Sequence, residues 1–332
     1  MFKSIRIQFV HPCRAQCAWC STHRKNPIFQ DLQDTGSALD FYDTYLRVID
    51  AHRPKELFIS GGEPLLDPQI GRFLTRAAEL VDTIHLFTSY QFSRTAMSGI
   101  IKIPMPDCVI LNHTPIYFEP DRWKKLTNGF PFEVYINNIR DAVQLSVRKR
   151  FKFIVNHSRL HEEIQRFSDY VKPNETCEVS LKLMNDQGDG LVRENMARSA
   201  HVVRSRLSDL DGLLTETGWT QTSRPKGSAD LMKAMIESGD VNACPYRQEP
   251  LELRLSYAGG SGGRQVLKYR YCPYFPPESG HRFHLGRDPI NKMGKNYHRG
   301  HFKDHCDRCR LTNYQTDQTD INQTNKGLKI IQ

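Results

Sequence analysis

Six short runs rich in apolar and β-branched residues recur in the first part of the chain. They are Ile5 to Val10, Glu56 to Ser60, Thr83 to Thr88, Cys108 to Asn112, Phe151 to Asn156 and Glu178 to Met184, and each reads as a strand. The stretches between them carry helical spacing, as in Phe41, Leu46, Val48 and Ile49, in Ile70, Phe73, Leu74 and Ala77, and in Ile136, Ile139, Val143 and Leu145. Regular alternation of strand and helix admits few topologies, because βαβ crossovers are right-handed and build a parallel sheet. Six such units fit in residues 1–217, fewer than the eight of a closed barrel. The expectation is an α/β chain whose first domain is a partial (βα)6 TIM-like barrel, with its working face at the C-terminal ends of the strands.

The pattern changes at about Gly218. Thr, Ser, Pro, Lys and Gly at 221–228 read as a linker followed by a short helix. Beyond them, Leu251 to Tyr257 and Gln265 to Tyr271 alternate apolar and polar residues around the glycine-rich stretch Ala258 to Gly263, which predicts a β-hairpin. Residues 218–310 are therefore expected to form a small α+β domain. Residues 311–332 are rich in Thr, Gln, Asn and Asp, with few aliphatic residues to bury, three of them (Leu328, Ile330 and Ile331) at the very end, and read as a polar C-terminal tail.

No apolar run approaches the roughly 18 residues a membrane span needs, and the first ten residues lack the apolar length of a signal peptide. A cytoplasmic protein without membrane association is the expectation. Nine cysteines in a reducing compartment point to metal binding or catalysis rather than disulfides. The net charge of +9 suits an acidic protein partner, an anionic small substrate or nucleic acid alike.

Three of those cysteines, Cys13, Cys17 and Cys20, fall within eight residues just past the first predicted strand. A single loop can wrap one metal group there. Three thiolates are one too few for a closed structural zinc site, whereas a 4Fe-4S cluster on three thiolates keeps one iron open for chemistry. Free thiols, or a zinc site completed by His11 or His23, are the plainer alternatives. At the end of the second predicted strand, Ser60-Gly61-Gly62-Glu63-Pro64 combines a glycine pair that permits close backbone approach with a carboxylate able to accept bonds from an ammonium.

Together these segments resemble the radical S-adenosylmethionine superfamily. Its Cys-x3-Cys-x-aromatic-Cys motif is met at Cys13, Cys17, Trp19 and Cys20, and its glycine-glycine-glutamate-proline segment at Gly61, Gly62, Glu63 and Pro64. The resemblance implies a 4Fe-4S cluster on the three cysteines, with Trp19 by the adenine of S-adenosylmethionine and Glu63 at its methionine end. It also implies reductive cleavage of that cofactor to a 5'-deoxyadenosyl radical that abstracts a substrate hydrogen, with the hard chemistry residing in the cofactor.

Cys244, Cys272, Cys306 and Cys309 lie in the appended unit, the first two bracketing the predicted hairpin. Four thiolates can close a site for zinc or for a cluster. Their arrangement is similar to the Twitch and SPASM domains of the family, as are Leu285-Gly286 and the segment Gly300 to Cys306. That likeness implies one auxiliary 4Fe-4S cluster, since the longer form needs cysteines this chain lacks. From 281 to 310, eight Lys or Arg stand against three Asp, among His281, His284, His298, His301 and His305. This basic patch reads as a solvated surface, a docking face for a flavodoxin or ferredoxin, or a phosphate contact.

At the predicted barrel mouth stand Thr88, Ser89, Asn112, His113, Asn156, His157, Lys182 and Asn185. Asn112 and Asn156 are the preferred cofactor contacts, and His113 and His157 the substrate candidates. Cys108 and Cys177 begin predicted strands, which places them at the barrel floor as core rather than as hydrogen donors. The expected function is hydrogen abstraction from a small molecule or peptide, leading to oxidation, epimerisation or cross-linking. Peptide-maturing members of the family this chain resembles often carry an N-terminal leader-binding domain. With the cluster loop beginning at Cys13 none is expected here, which favours a small substrate such as a sugar or nucleotide-derived metabolite, or a peptide delivered by a separate protein. Modification of RNA or another nucleic acid is the second reading, and a non-catalytic zinc or iron-sulfur protein the third.

Overall fold

Leu57 and Ile59, Ile84 and Leu86, Val109 and Leu111, and Phe151 and Phe153 alternate along four adjacent strands and are all buried. Residues two apart on a strand share a face, so these pairs form one continuous apolar surface on which the helices lie. The computed structural model describes residues 2–9, 38–115, 117–154, 160–182, 212–223, 252–257, 266–270 and 281–284. Within them the strands are β1 (Ser4–Phe9), β2 (Glu56–Gly61), β3 (Thr83–Phe87), β4 (Val109–His113), β5 (Arg148–Ile154) and β6 (Cys177–Lys182). They pair in chain order and all in parallel, as the alternating pattern requires.

The intervening helices are α1 (Ala38–His52), α2 (Ile70–Ala78), α3 (Arg94–Ile100), α4 (Pro120–Leu126), α5 (Phe132–Val143) and α6 (Leu160–Tyr170). The apolar spacing expected of α2 is the one observed, with Ile70, Phe73, Leu74 and Ala77 all buried. In α5, Phe132, Tyr135, Ile136, Ile139 and Val143 form a comparable stripe. The start of α3 is set by Ser93, whose Oγ accepts from the Ala96 N–H at 3.1 Å. Proline opens α4, where its missing N–H costs nothing. Each large apolar side chain buried in this layer contributes about 1.5–3 kcal/mol before entropy is counted.

The predicted hairpin is present as β8 (Glu252–Tyr257) and β9 (Val266–Arg270), antiparallel with Leu255 opposite Tyr269. A short strand β10 (His281–His284) continues it. Two features differ from the sequence reading. The stretch taken to begin a linker at 221 starts instead within β7 (Thr220–Ser223), a seventh parallel strand beside β6. Its residues are polar and carry no strand pattern, so its pairing comes from the neighbouring β6 backbone, with Trp219 as anchor. The hairpin, moreover, continues the main sheet: β8 lies parallel to β1, with Leu253 beside Ile5 and Leu255 beside Ile7. The strand order is β10-β9-β8-β1-β2-β3-β4-β5-β6-β7, an open sheet of the partial-barrel kind. No described helix is long and apolar enough to cross a membrane.

Candidate functional site

The register of β1 and β2 puts Gly61 directly beside Phe9. Cys13 follows Phe9 by four positions in the sequence, so the glycine-glycine-glutamate segment adjoins the last described residue before the three cysteines. Gly61 has φ +131°, a conformation that strains any residue bearing a Cβ. That turn carries the chain off the strand and sends Glu63 inward.

Glu63 is 1% exposed. Its backbone caps the short 3-10 turn Pro64–Leu66, and its Oε1 accepts from the Leu65 N–H at 3.4 Å. The stronger holds come from the end of β3. Ser89 donates twice to Oε2, from its backbone N–H at 2.7 Å and its hydroxyl at 2.6 Å. Burial pushes the Glu63 carboxyl up, opposed by the bonds from Ser89, Thr88 and Leu65. An ionised carboxylate costs free energy in such a place, and a bound cation would offset that cost.

The loop carrying Ser89 is itself braced. Thr88 N–H donates to the Asn112 carbonyl at 3.0 Å, Thr88 Oγ1 accepts from the Tyr90 N–H at 3.2 Å, and Ser89 Oγ accepts from the Gln91 N–H at 3.1 Å. Tyr90 takes the left-handed conformation, φ +56°. From α5, the fully buried Asn138 donates to the carbonyls of Tyr90 at 3.0 Å and Phe92 at 2.7 Å. Asn138 gave no signal in the sequence beyond its place on the buried stripe of a helix.

Asn112 and His113 are not brought to the same place. Asn112 is 0% exposed and lies beside Phe87 in the β3–β4 register. Its amide donates to the Ile110 carbonyl at 2.8 Å, while its Oδ1 has no partner among the described residues. His113 points to the helix layer. Its Nδ1–H donates to the Thr88 carbonyl at 2.9 Å, and its Nε2 accepts from the Tyr135 hydroxyl at 2.7 Å. Burial lowers its pKa to about 4, so the ring is neutral at pH 7 and both nitrogens are engaged.

Cys177, at the start of β6, is buried and donates its thiol to Asn174 Oδ1 at 3.2 Å; Cys108, just before β4, is half-buried. Burial raises both thiols. Both stand at the N-terminal ends of their strands, away from Glu63. Cys13, Cys17, Trp19, Cys20, Asn156, His157, Asn185, Cys244, Cys272, Cys306 and Cys309 lie outside the described residues, as does the side chain of Lys182.

Among solved structures, SuiB of Streptococcus suis bound to S-adenosylmethionine superposes with a TM-score of 0.56 at 13% identity, over 94% of this chain and 71% of SuiB. SuiB bound to the precursor peptide SuiA gives 0.53 at 12%, over 88% and 64%. The fold is that of SuiB. At these identities the likeness is one of fold, and the chain spans about two thirds of the length of the SuiB chains it matches. No family model and no curated protein matches the sequence. In this fold Glu63 stands just past the C-terminal end of a parallel strand, the face on which barrel sites are built.

The described residues fit an S-adenosylmethionine molecule. Its ammonium matches the buried Glu63 carboxylate, the unpartnered Asn112 Oδ1 is an acceptor for one of its donors, and Gly61 and Gly62 keep Cβ atoms out of the approach.

Proposed function

We propose that this protein is a radical S-adenosylmethionine enzyme that abstracts a hydrogen atom from a small molecule or a peptide. The observation that carries the reading is the buried Glu63 carboxylate, fixed by Ser89 in the segment that adjoins the last described residue before the three cysteines. When bound, a 4Fe-4S cluster and S-adenosylmethionine together supply a 5'-deoxyadenosyl radical. Cys13, Cys17 and Cys20 would hold the cluster, and Trp19 would flank the adenine. Glu63 would take the cofactor's ammonium, with Asn112 and Asn156 as further contacts. Ser89 positions Glu63: its two bonds fix the carboxylate and help keep it ionised against the pull of burial. The buried surroundings of Glu63 exclude water, which strengthens its hold on a cation.

Cys244, Cys272, Cys306 and Cys309 are proposed to hold an auxiliary 4Fe-4S cluster in a Twitch-like unit at 218–310, and a flavodoxin or ferredoxin to deliver electrons. The SuiB likeness, one example of which is bound to a precursor peptide, supports a peptide as one class of hydrogen donor.

Anaerobic reconstitution followed by a cofactor-cleavage assay tests the reading. The wild type should form 5'-deoxyadenosine under reducing conditions, and Cys17→Ala should form none. Ser89→Ala should weaken S-adenosylmethionine binding about tenfold, the equivalent of one hydrogen bond to a charged group. Undiminished cleavage by Cys17→Ala would refute the assignment.

A further inference from the structure

Apart from Asn112, the radical reading gives the inner face of the sheet no role. Arg6, Phe58, Phe87 and Lys152 occupy the strand positions that alternate with the buried Ile5 and Ile7, Leu57 and Ile59, Leu86, and Phe151 and Phe153, so they share the face turned away from the helices. The Arg6 guanidinium lies 4.7 Å from the Phe58 ring centre and 5.3 Å from that of Phe87. The Lys152 ammonium lies 4.4 Å from the same Phe87 ring. All four side chains retain partial exposure, although the Arg6 Nε is itself buried.

His85 is on this face too, stacked on Phe58 at 4.5 Å and 4% exposed. Its Nε2 faces Glu56 at 3.3 Å, while its Nδ1 is buried with no partner among the described residues. Arg254 stands beside Arg6 in register, and Arg150 pairs with Glu178 at 2.5 Å. Among the described inner-face side chains the cations Arg6, Arg150, Lys152 and Arg254 outnumber the carboxylates Glu56 and Glu178.

Aromatic rings hold cations in fixed directions and reduce their hydration. Two cations gathered on one ring repel each other more strongly as water is excluded, and an oxyanion between them relieves that repulsion through charge-assisted hydrogen bonds. The location is right for a substrate. Phe87 precedes Ser89 by two residues, about 7 Å along an extended chain, and Ser89 bonds Glu63.

We propose that this inner face is the substrate pocket and that it takes a small molecule bearing a carboxylate or phosphate. Arg6 and Lys152 are its anion contacts, and His85 Nδ1 is a hydrogen-bonding partner for a second polar group on the same molecule. The inference rests on the radical reading for the chemistry that follows binding, but its test does not. Isothermal titration calorimetry on the reconstituted full-length protein uses inorganic phosphate, benzoate and, as the neutral control, benzamide. Benzoate, phosphate or both should bind, benzamide at least tenfold more weakly. Binding should drop at least tenfold in Arg6→Gln/Lys152→Gln and persist in Lys152→Arg, which retains the charge and reports on folding.

Phosphate binding alone assigns a phosphorylated substrate, and benzoate binding alone a carboxylate. Absence of anion binding, equal binding of benzamide, or binding unchanged in the double variant would overturn the pocket. Cofactor cleavage without anion binding removes the pocket and keeps the radical reading; anion binding without cleavage does the reverse.

Discussion

Asn112 and His113 are consecutive on β4, and the pleat sends their side chains to opposite faces. Asn112 has a buried oxygen with no partner among the described residues, whereas His113 is locked between the Thr88 carbonyl and the Tyr135 hydroxyl. The locked ring has a consequence for stability. An unfolded chain protonates the imidazole near pH 6.5, and the folded protein does so only near pH 4. The depressed value means that this part of the stability is intact above pH 6.5 and is lost as pH falls from 6.5 to about 4, roughly 3 kcal/mol in all. Urea unfolding at pH 7 and pH 5 should therefore show a loss in the wild type that is smaller by about 2 kcal/mol in His113→Gln. His52 and His85 are shifted in the same direction but are present in both proteins, so the difference between them isolates His113. Equal losses would contradict the neutral, locked ring. In the sequence both residues read only as polar groups at a strand end, since their partners belong to other elements.

Among the elements, β7 shows how tertiary partners create structure that a local pattern does not announce. Thr-Gln-Thr-Ser has neither apolar alternation nor length, yet it pairs with β6. Trp219, the residue before it, is 4% exposed and stacks on Phe167 at 5.2 Å, while its indole N–H donates to Ser168 Oγ at 2.9 Å. Trp219→Ala should cost about 3–5 kcal/mol in urea unfolding, and Trp219→Phe, which retains a ring and loses the bond, clearly less. Similar costs for the two would mean that the indole does not pack as described. The strands of the inner face carried a signal of the opposite kind. In β1 and β5, Arg6 and Gln8, and Arg150 and Lys152, alternate with apolar residues, whereas Leu57-Phe58-Ile59 of β2 is continuously apolar, as a parallel strand covered on both faces reads. That alternation was legible and announced a face not packed by helices; the stacking of Arg6 and Lys152 on one phenylalanine was not.

At the scale of the whole molecule, the hairpin beyond residue 250 is part of the main sheet. β8 covers the edge of β1, and Leu253, Leu255 and Tyr269 are buried in the same core as Ile5 and Ile7. A fragment of residues 1–223 would expose that edge and the sides of Ile5 and Ile7 that β8 covers, and an open apolar edge promotes association. Expressed alone, the fragment should be insoluble or elute as aggregate on size exclusion; a soluble monomer would show that the β1–β8 pairing contributes little. The sequence by itself determined the alternating elements, the partial parallel barrel, the hairpin and the two segments that resemble a radical enzyme, because periodicity and short motifs are properties of neighbouring residues. Only the tertiary structure decided that Ser89 clamps a glutamate 26 residues away, that His113 turns from the site, that β8 lies beside β1 and that the inner-face cations meet over Phe87. Those contacts depend on which strands are adjacent and on which face each residue shows, and both are settled when the sheet assembles.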